Sequence, residues 1–199
     1  MDRMLYLAMT GAKQTMVSQA VNTNNLANAS TTGFKADLEQ FRSIPVFGPG
    51  MPSRVYAMTE NPSTDLSSGT FRTTGRELDV AIQGNGWIAV QAPDGSEAYT
   101  RAGDLHVDGS GLLTTGTGLP IIGTNGGPIL VPQNEKFEIG IDGTISVRPI
   151  GQAASTLAEV DRIKLVNPEA ESLHKAENGL MVLDGGESAP PDANVRIMS

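Results

Sequence analysis

Residues 78–95 read LDVAIQGNGWIAVQAPDG, and the residues after Gly86 decide the fold. The string Gly84-Asn85-Gly86-Trp87-Ile88-Ala89 has the GxGxxA spacing of a dinucleotide-binding turn. Such a turn opens a helix on which a pyrophosphate rests, with an acidic residue about twenty positions onward. Here the glycines lead instead into Trp-Ile-Ala-Val-Gln and then Ala-Pro-Asp-Gly, an apolar run of strand length closed by a turn signal. The stretch therefore predicts strand, turn, strand, and argues against a Rossmann unit. Trp87, the one tryptophan, is expected in the β core or an interface rather than as a ligand platform.

The same texture extends both ways. From about residue 54 to 184, short runs such as LHVD, PILVP, TISVRPI and GLMVLD alternate with turn signals. Residues 98–115, AYTRAGDLHVDGSGLLTT, give a clear strand, turn, strand reading. Asp94-Gly95, Asp108-Gly109 and Asp142-Gly143 stand between such runs, as hairpin turns of primed type require. The expected class is α+β, mainly β, with a compact antiparallel domain built as a sandwich or distorted barrel.

Upstream the periodicity changes. Leu5, Met9, Ala12, Met16 and Ala20, with Ala8 beside them, recur at helical spacing behind Asp2, a candidate N-cap. They predict an amphipathic helix over residues 2–28, about 37 Å long at 1.5 Å per residue. After Lys13 the next charged residue is Lys35; between them stand Gln14, Thr15, Ser18, Gln19, Asn22, Thr23, Asn24 and Asn25. An uncharged amide and hydroxyl face suits close helix contacts, and a polar helix within one monomer could carry the same residues. The apolar stripe needs a cover, either its own β domain or other helices. Gly33 marks the helix exit. Phe34, Leu38 and Phe41, then Pro45, Pro49, Gly50 and Pro52, predict an extended connector with a short helix around residues 35–43.

Composition narrows the function classes. Fourteen basic against 22 acidic residues give a net charge of −8 without any basic run, which argues against nucleic acid and anionic membrane surfaces. The absence of cysteine excludes thiolate nucleophiles, disulfides and cysteine-based metal centres. No cleavable secretion signal and no apolar stretch of about 20 residues is visible, so a soluble cytoplasmic protein is the expectation from these features alone. Asp104-Leu105-His106-Val107-Asp108-Gly109 imitates a calcium loop, but His106 is a poor hard-ion ligand and Thr115 stands where a bidentate glutamate belongs. His106 and His174 are isolated, no GxSxG elbow occurs, and Glu77, Asp79 and Asp104 read as solvated carboxylates. Asn28-Ala29-Ser30 is a sequon that matters only on a glycosylating secretory route. No cofactor, metal or small-molecule substrate is expected.

Three stretches carry a resemblance: MDRMLYLAMTGA at 1–12, NNLANASTTGFKA at 24–36, and GRELDVAIQGNGWIAVQAPDGSEAYTRAGDLHVDGSGLLTTGTGLPIIG at 75–123. Together they resemble the flagellar basal-body rod and hook protein family over nearly the whole chain. The Met1-Asp2-Arg3 opening and Trp87 fit a proximal rod subunit, with a distal rod subunit as the alternative. The resemblance implies a structural, non-catalytic subunit of the periplasm-spanning rod, which transmits torque. Implied partners are copies of itself, other proximal and distal rod subunits, and the export apparatus, which would take the chain without a cleaved signal peptide. This location replaces the cytoplasmic expectation. The family also implies a second amphipathic helix after NVRIMS, so that the sequence reads as C-terminally truncated. Expected organisation is an assembly helix over 1–30, a connector over 31–70, a β domain over 71–185 and a return segment over 186–199. The expected assembly interface is Leu5, Ala8, Met9, Ala12, Met16, Asn25, Leu26 and Asn28.

Overall fold

The computed structural model describes residues 4–47, 55–151 and 157–199, without the side chains of 61–63, 134 and 135. Asp2 as an N-cap and the cluster Pro49, Gly50 and Pro52 thus lie outside the described residues. The chain divides into two units, one ending at Leu66 and the other running over Ser67–Ser199.

In the first unit, α1 spans Met4–Ala27. Thr10, Thr15 and Thr23 donate their hydroxyls to the carbonyls of Tyr6, Gly11 and Gln19 one turn back, so these polar side chains are satisfied within the helix. At the exit, the carbonyl of Asn24 accepts both the backbone N–H of Asn28 (3.1 Å) and its side-chain amide (3.0 Å). Gly33, at φ 73°, then turns the chain.

The segment expected as connector is a paired hairpin. Strand β1 (Asp37–Pro45) runs antiparallel to β2 (Val55–Thr64), from Asp37 opposite Thr64 to Pro45 opposite Val55, with a register irregularity between Leu38 and Gln40. No helix forms at 35–43. Phe34, Leu38 and Phe41 have helical spacing, but Pro45 disfavours helix at Ile44 and the partner VYAMTE satisfies the backbone as a strand. Arg42 and Glu60 pair across the ladder.

The second unit holds β3 (Ala81–Gln83), β4 (Trp87–Gln91), β5 (Glu97–Thr100), β6 (Leu105–Val107), β7 (Leu113–Thr115), β8 (Asn134–Ile139), β9 (Thr144–Pro149), β10 (Ala158–Arg162), β11 (Leu165–Val166), β12 (Leu173–Lys175), β13 (Met181–Leu183) and β14 (Arg196–Met198). One sheet has the order β11-β4-β5-β13-β12, a second β10-β9-β8, and β14-β3 and β6-β7 form pairs. Every ladder is antiparallel, so the expected class, mainly β with one long helix, is the observed one. Trp87 through Val90 are all buried, as in a strand covered on both faces.

Between β6 and β8 the backbone closes a ring of three hydrogen bonds. Leu113 N–H donates to Ile129 O (3.0 Å), Ile129 N–H to Ile121 O (3.0 Å), and Ile121 N–H to Leu113 O (2.9 Å). These three side chains, spaced by eight residues, are fully buried, so Leu112-Leu113, Ile121-Ile122 and Ile129-Leu130 each contribute a fully buried side chain to the ring.

The Asp-Gly turns are hairpin loops of a different type from the expected one. In each, three residues lie between a hydrogen-bonded pair: Ala92 with Ser96, Asp108 with Leu112, and Gly140 with Thr144. No non-glycine residue has a positive φ among the described residues, so neither Asp94 nor Asp108 adopts the conformation a primed turn demands; Gly95 (87°) and Gly111 (86°) supply it alone at the third loop position. The aspartates act through their side chains instead. The hydroxyls of Ser96 and Ser110, with backbone N–H groups, hold the carboxyls of Asp94 and Asp108 below the ordinary carboxylate range.

A polar clasp around the buried Lys164 ties the end of the chain to this unit. Lys164 Nζ lies 2.8 Å from both carboxylate oxygens of Glu97 and 2.7 Å from Ser188 Oγ. Tyr99 donates to Glu97 Oε1 (3.0 Å) and accepts from the backbone N–H of Ala189 (2.7 Å). Burial pushes the Tyr99 phenol up to about 12, so it remains a donor at neutral pH. Beyond the clasp, β14 pairs with β3 and returns the chain to the start of the unit.

Gly103 leaves no room for a side chain, because a Cβ there would sit 1.7 Å from the carbonyl oxygen of Val80. Backbone cannot yield as a flexible side chain would. Gly103→Ala is expected to destabilise the second unit by about 3 kcal/mol or more, read as a lower urea midpoint with unchanged slope.

Candidate assembly interface

Helix α1 has two faces with different fates. Leu7, Thr10, Gln14, Ser18, Val21 and Asn25, spaced by three and four residues, form a partly covered stripe. Two members reach the hairpin. Thr59 donates its hydroxyl to Gln14 Oε1. Asn25 makes a two-point contact with one residue of β1: its amide Nδ2 donates to Asp37 O (2.9 Å), and Asp37 N–H donates to Asn25 Oδ1 (3.1 Å). The amide thereby pairs with the backbone as another strand would.

Facing away is the apolar stripe. Leu5 is 63% exposed, Met9 60%, Met16 71% and Leu26 77%, and Ala8 and Ala12 are exposed with them. At 100° per residue Met9 and Met16 lie within about 20° of one another, while the Gln14–Asn25 stripe occupies the opposite side. The eight residues expected to form one interface therefore divide. Leu5, Ala8, Met9, Ala12, Met16 and Leu26 are presented outward; Asn25 is engaged with Asp37, and Asn28 closes the helix end. The physical reason is the hairpin: read as a connector, it offered no partner for an amide within the same unit. Gln14 is the helix-to-hairpin contact that the sequence reading left among neutral polar groups. Its signal was the helical spacing that puts it on the face of Asn25.

The turn that imitated a dinucleotide site is filled from within. Arg101 donates to the carbonyls of Gly84 and Gly86, each at 3.0 Å, and its guanidinium stands 5.2 Å from the centroid of the Trp87 ring. Strand β4, not a helix, comes after Gly86, and Trp87 is buried as expected. His106 and His174 are both exposed.

Charge is divided as sharply as polarity. Residues 1–66 hold five acidic and five basic side chains, leaving 17 acidic and nine basic, and hence the whole net charge of −8, to residues 67–199. Along α1, Lys13 is the one charged residue. Lys13 lies four residues from Met9 and three from Met16, at the margin of the apolar stripe, so the centre of the stripe carries no ion.

A family model for flagella basal body rod proteins matches residues 5–35, and a model described as the flagellar hook protein FlgE/F/G D1 domain matches residues 81–147. The flagellar basal-body rod protein FlgF of Escherichia coli (strain K12) is 42% identical over 205 residues, covering 100% of this chain and 81% of that protein. The chain belongs to the flagellar basal-body rod protein family. FlgF of Salmonella typhimurium gives the same identity and coverage, whereas FlgG of Bacillus subtilis is 36% identical over 74% of this chain and 61% of its own length. The FlgF relatives thus match more of this rod-family chain than that FlgG does. The family is a structural component of the rod, and its place is the flagellar basal body. The first match covers α1 and its exit at Gly33; the second covers β3 through most of β9.

Removing the two-point amide should loosen the hairpin from the helix. Asn25→Ala is expected to cost about 1–2 kcal/mol, one ordinary net hydrogen bond to each backbone group. It should accelerate amide exchange at Asp37 and leave exchange in β4 and β5 unchanged.

Proposed function

We propose that the chain is a proximal-rod subunit that assembles axially through the outward face of α1 and transmits torque. The carrying observation is the exposed stripe of Leu5, Met9 and Met16, turned away from the hairpin that the same helix grips. Burying Leu5, Met9, Met16 and Leu26 contributes ~6–12 kcal/mol gross, at about 1.5–3 kcal/mol each. Association costs about 4–15 kcal/mol, so one such contact barely sustains a pair. A lattice in which each subunit meets several neighbours makes the same stripe sufficient.

The partners on this reading are copies of the chain and other rod subunits, and the assembly region is residues 1–30. Coverage by the FlgF relatives supports the proximal position; the FlgG relatives support the distal alternative less. The role is structural rather than catalytic, as the relatives' names indicate. Delivery through the flagellar export apparatus, without a cleaved signal, and a rod crossing the periplasm complete the proposal.

Leu5→Asp with Met16→Asp, made in the full-length gene, should abolish rod assembly and motility. Both positions are exposed in the subunit, so the purified variant should keep its unfolding midpoint to within about 0.5 kcal/mol. Normal motility in the double variant would contradict the proposal.

A further inference from the structure

Sulfur on the outward face of α1 is concentrated at two places. Met9 and Met16, two turns apart, are 60% and 71% exposed, whereas Met181 in the β core is 3% exposed. The chain has no cysteine to intercept an oxidant, so its thioethers are its most oxidisable side chains. Met4, Met58 and Met198 are exposed too, but Met4 lies about 120° around the helix from Met16, and the other two belong to β2 and β14.

We propose that Met9 and Met16 are an oxidation site that switches the assembly face off in the unassembled subunit, an inference that rests on the assembly reading above. The oxidant is hydrogen peroxide. Each thioether sulfur gives an electron pair to a peroxide oxygen; the S–O bond forms, the O–O bond breaks, and water leaves. Methionine loses two electrons and the peroxide gains them. The product sulfoxide places a strong dipole in a stripe whose apolar members are Leu5, Ala8, Ala12 and Ala20, while the nearest donors on the helix, Lys13 and Gln19, stand at its margin. Burial of the stripe in the rod removes both sulfurs from solvent, so the switch acts before assembly and spares finished rods.

The test has a chemical arm and a cellular arm. In the purified full chain treated with hydrogen peroxide, mass mapping should find one oxygen added at Met9 and at Met16 about tenfold faster than at Met181. In cells given a peroxide pulse, with each strain compared with itself without peroxide, new basal bodies should be delayed with the wild-type chain and not with Met9→Leu/Met16→Leu, which cannot form a sulfoxide. Met9→Gln/Met16→Gln should reduce new basal bodies about tenfold without peroxide. Equal delay in wild type and the leucine pair, or unoxidised Met9 and Met16, would overturn the proposal. Leu5→Asp/Met16→Asp is carried alongside. If it builds rods, the assembly reading fails and this inference with it; if it does not while wild type and the leucine pair respond alike, this inference alone fails.

Discussion

The grip of Asn25 on the peptide of Asp37 sets the rotation of α1 about its own axis. A helix with apolar groups on one side and amides on the other can rest on either. Here two hydrogen bonds at 2.9 and 3.1 Å, reinforced by Thr59 on Gln14, turn the amide side onto the hairpin. The price is that Leu5, Met9 and Met16 stay in water. On the proposed assembly reading, exposed leucine and methionine in the folded subunit are a surface kept for another chain. A hairpin that used the apolar stripe for its own packing would leave nothing for assembly.

The second unit obeys a different logic. Its strands are short, two to six residues, and short ladders alone are weak. Closure compensates: the ring of Leu113, Ile121 and Ile129 winds three passes around one another, and Lys164, Glu97, Ser188 and Tyr99 lock the returning chain. Buried ion pairs add little net stability against a hydrophobic replacement, but their loss of one partner is costly, so the clasp fixes where residues 188–199 lie. Arg101, lodged over Trp87 and bonded to Gly84 and Gly86, joins the GNGW and TRAG segments. The net charge of −8 resides on this unit, and residues 1–66 carry none.

Much of this was legible in the sequence, for identifiable reasons. The period of Leu5, Met9, Ala12 and Met16 marked α1 almost to its ends, and the run after Gly86 marked β4 because the glycines lead into no helix signal. Asp94 and Asp142 located hairpins, yet the conformations were hidden: whether a glycine comes after an aspartate says little about how many residues the loop contains, and at Asp108 the left-handed position passed to Gly111. The hairpin over 37–64 was missed because its strands are mutually satisfied by long-range pairing, and the prolines around it read as an unpaired connector. Without the hairpin, Asn25 and Asn28 were placed on the same surface as Met16. Spacing showed that the helix had two faces, but not which would be covered from within.

A chain without cysteine allows the decisive comparison to be made with single thiols. Met16→Cys and Ser18→Cys place a sulfur on opposite faces of α1, and maleimide labelling can be tracked in the free subunit and in isolated basal bodies. Outward presentation of the apolar stripe predicts rapid labelling of Met16→Cys in the free chain, slower labelling of Ser18→Cys, and loss of labelling at position 16 on incorporation into the rod. Labelling at position 16 that is as fast in basal bodies as in the free subunit would contradict it.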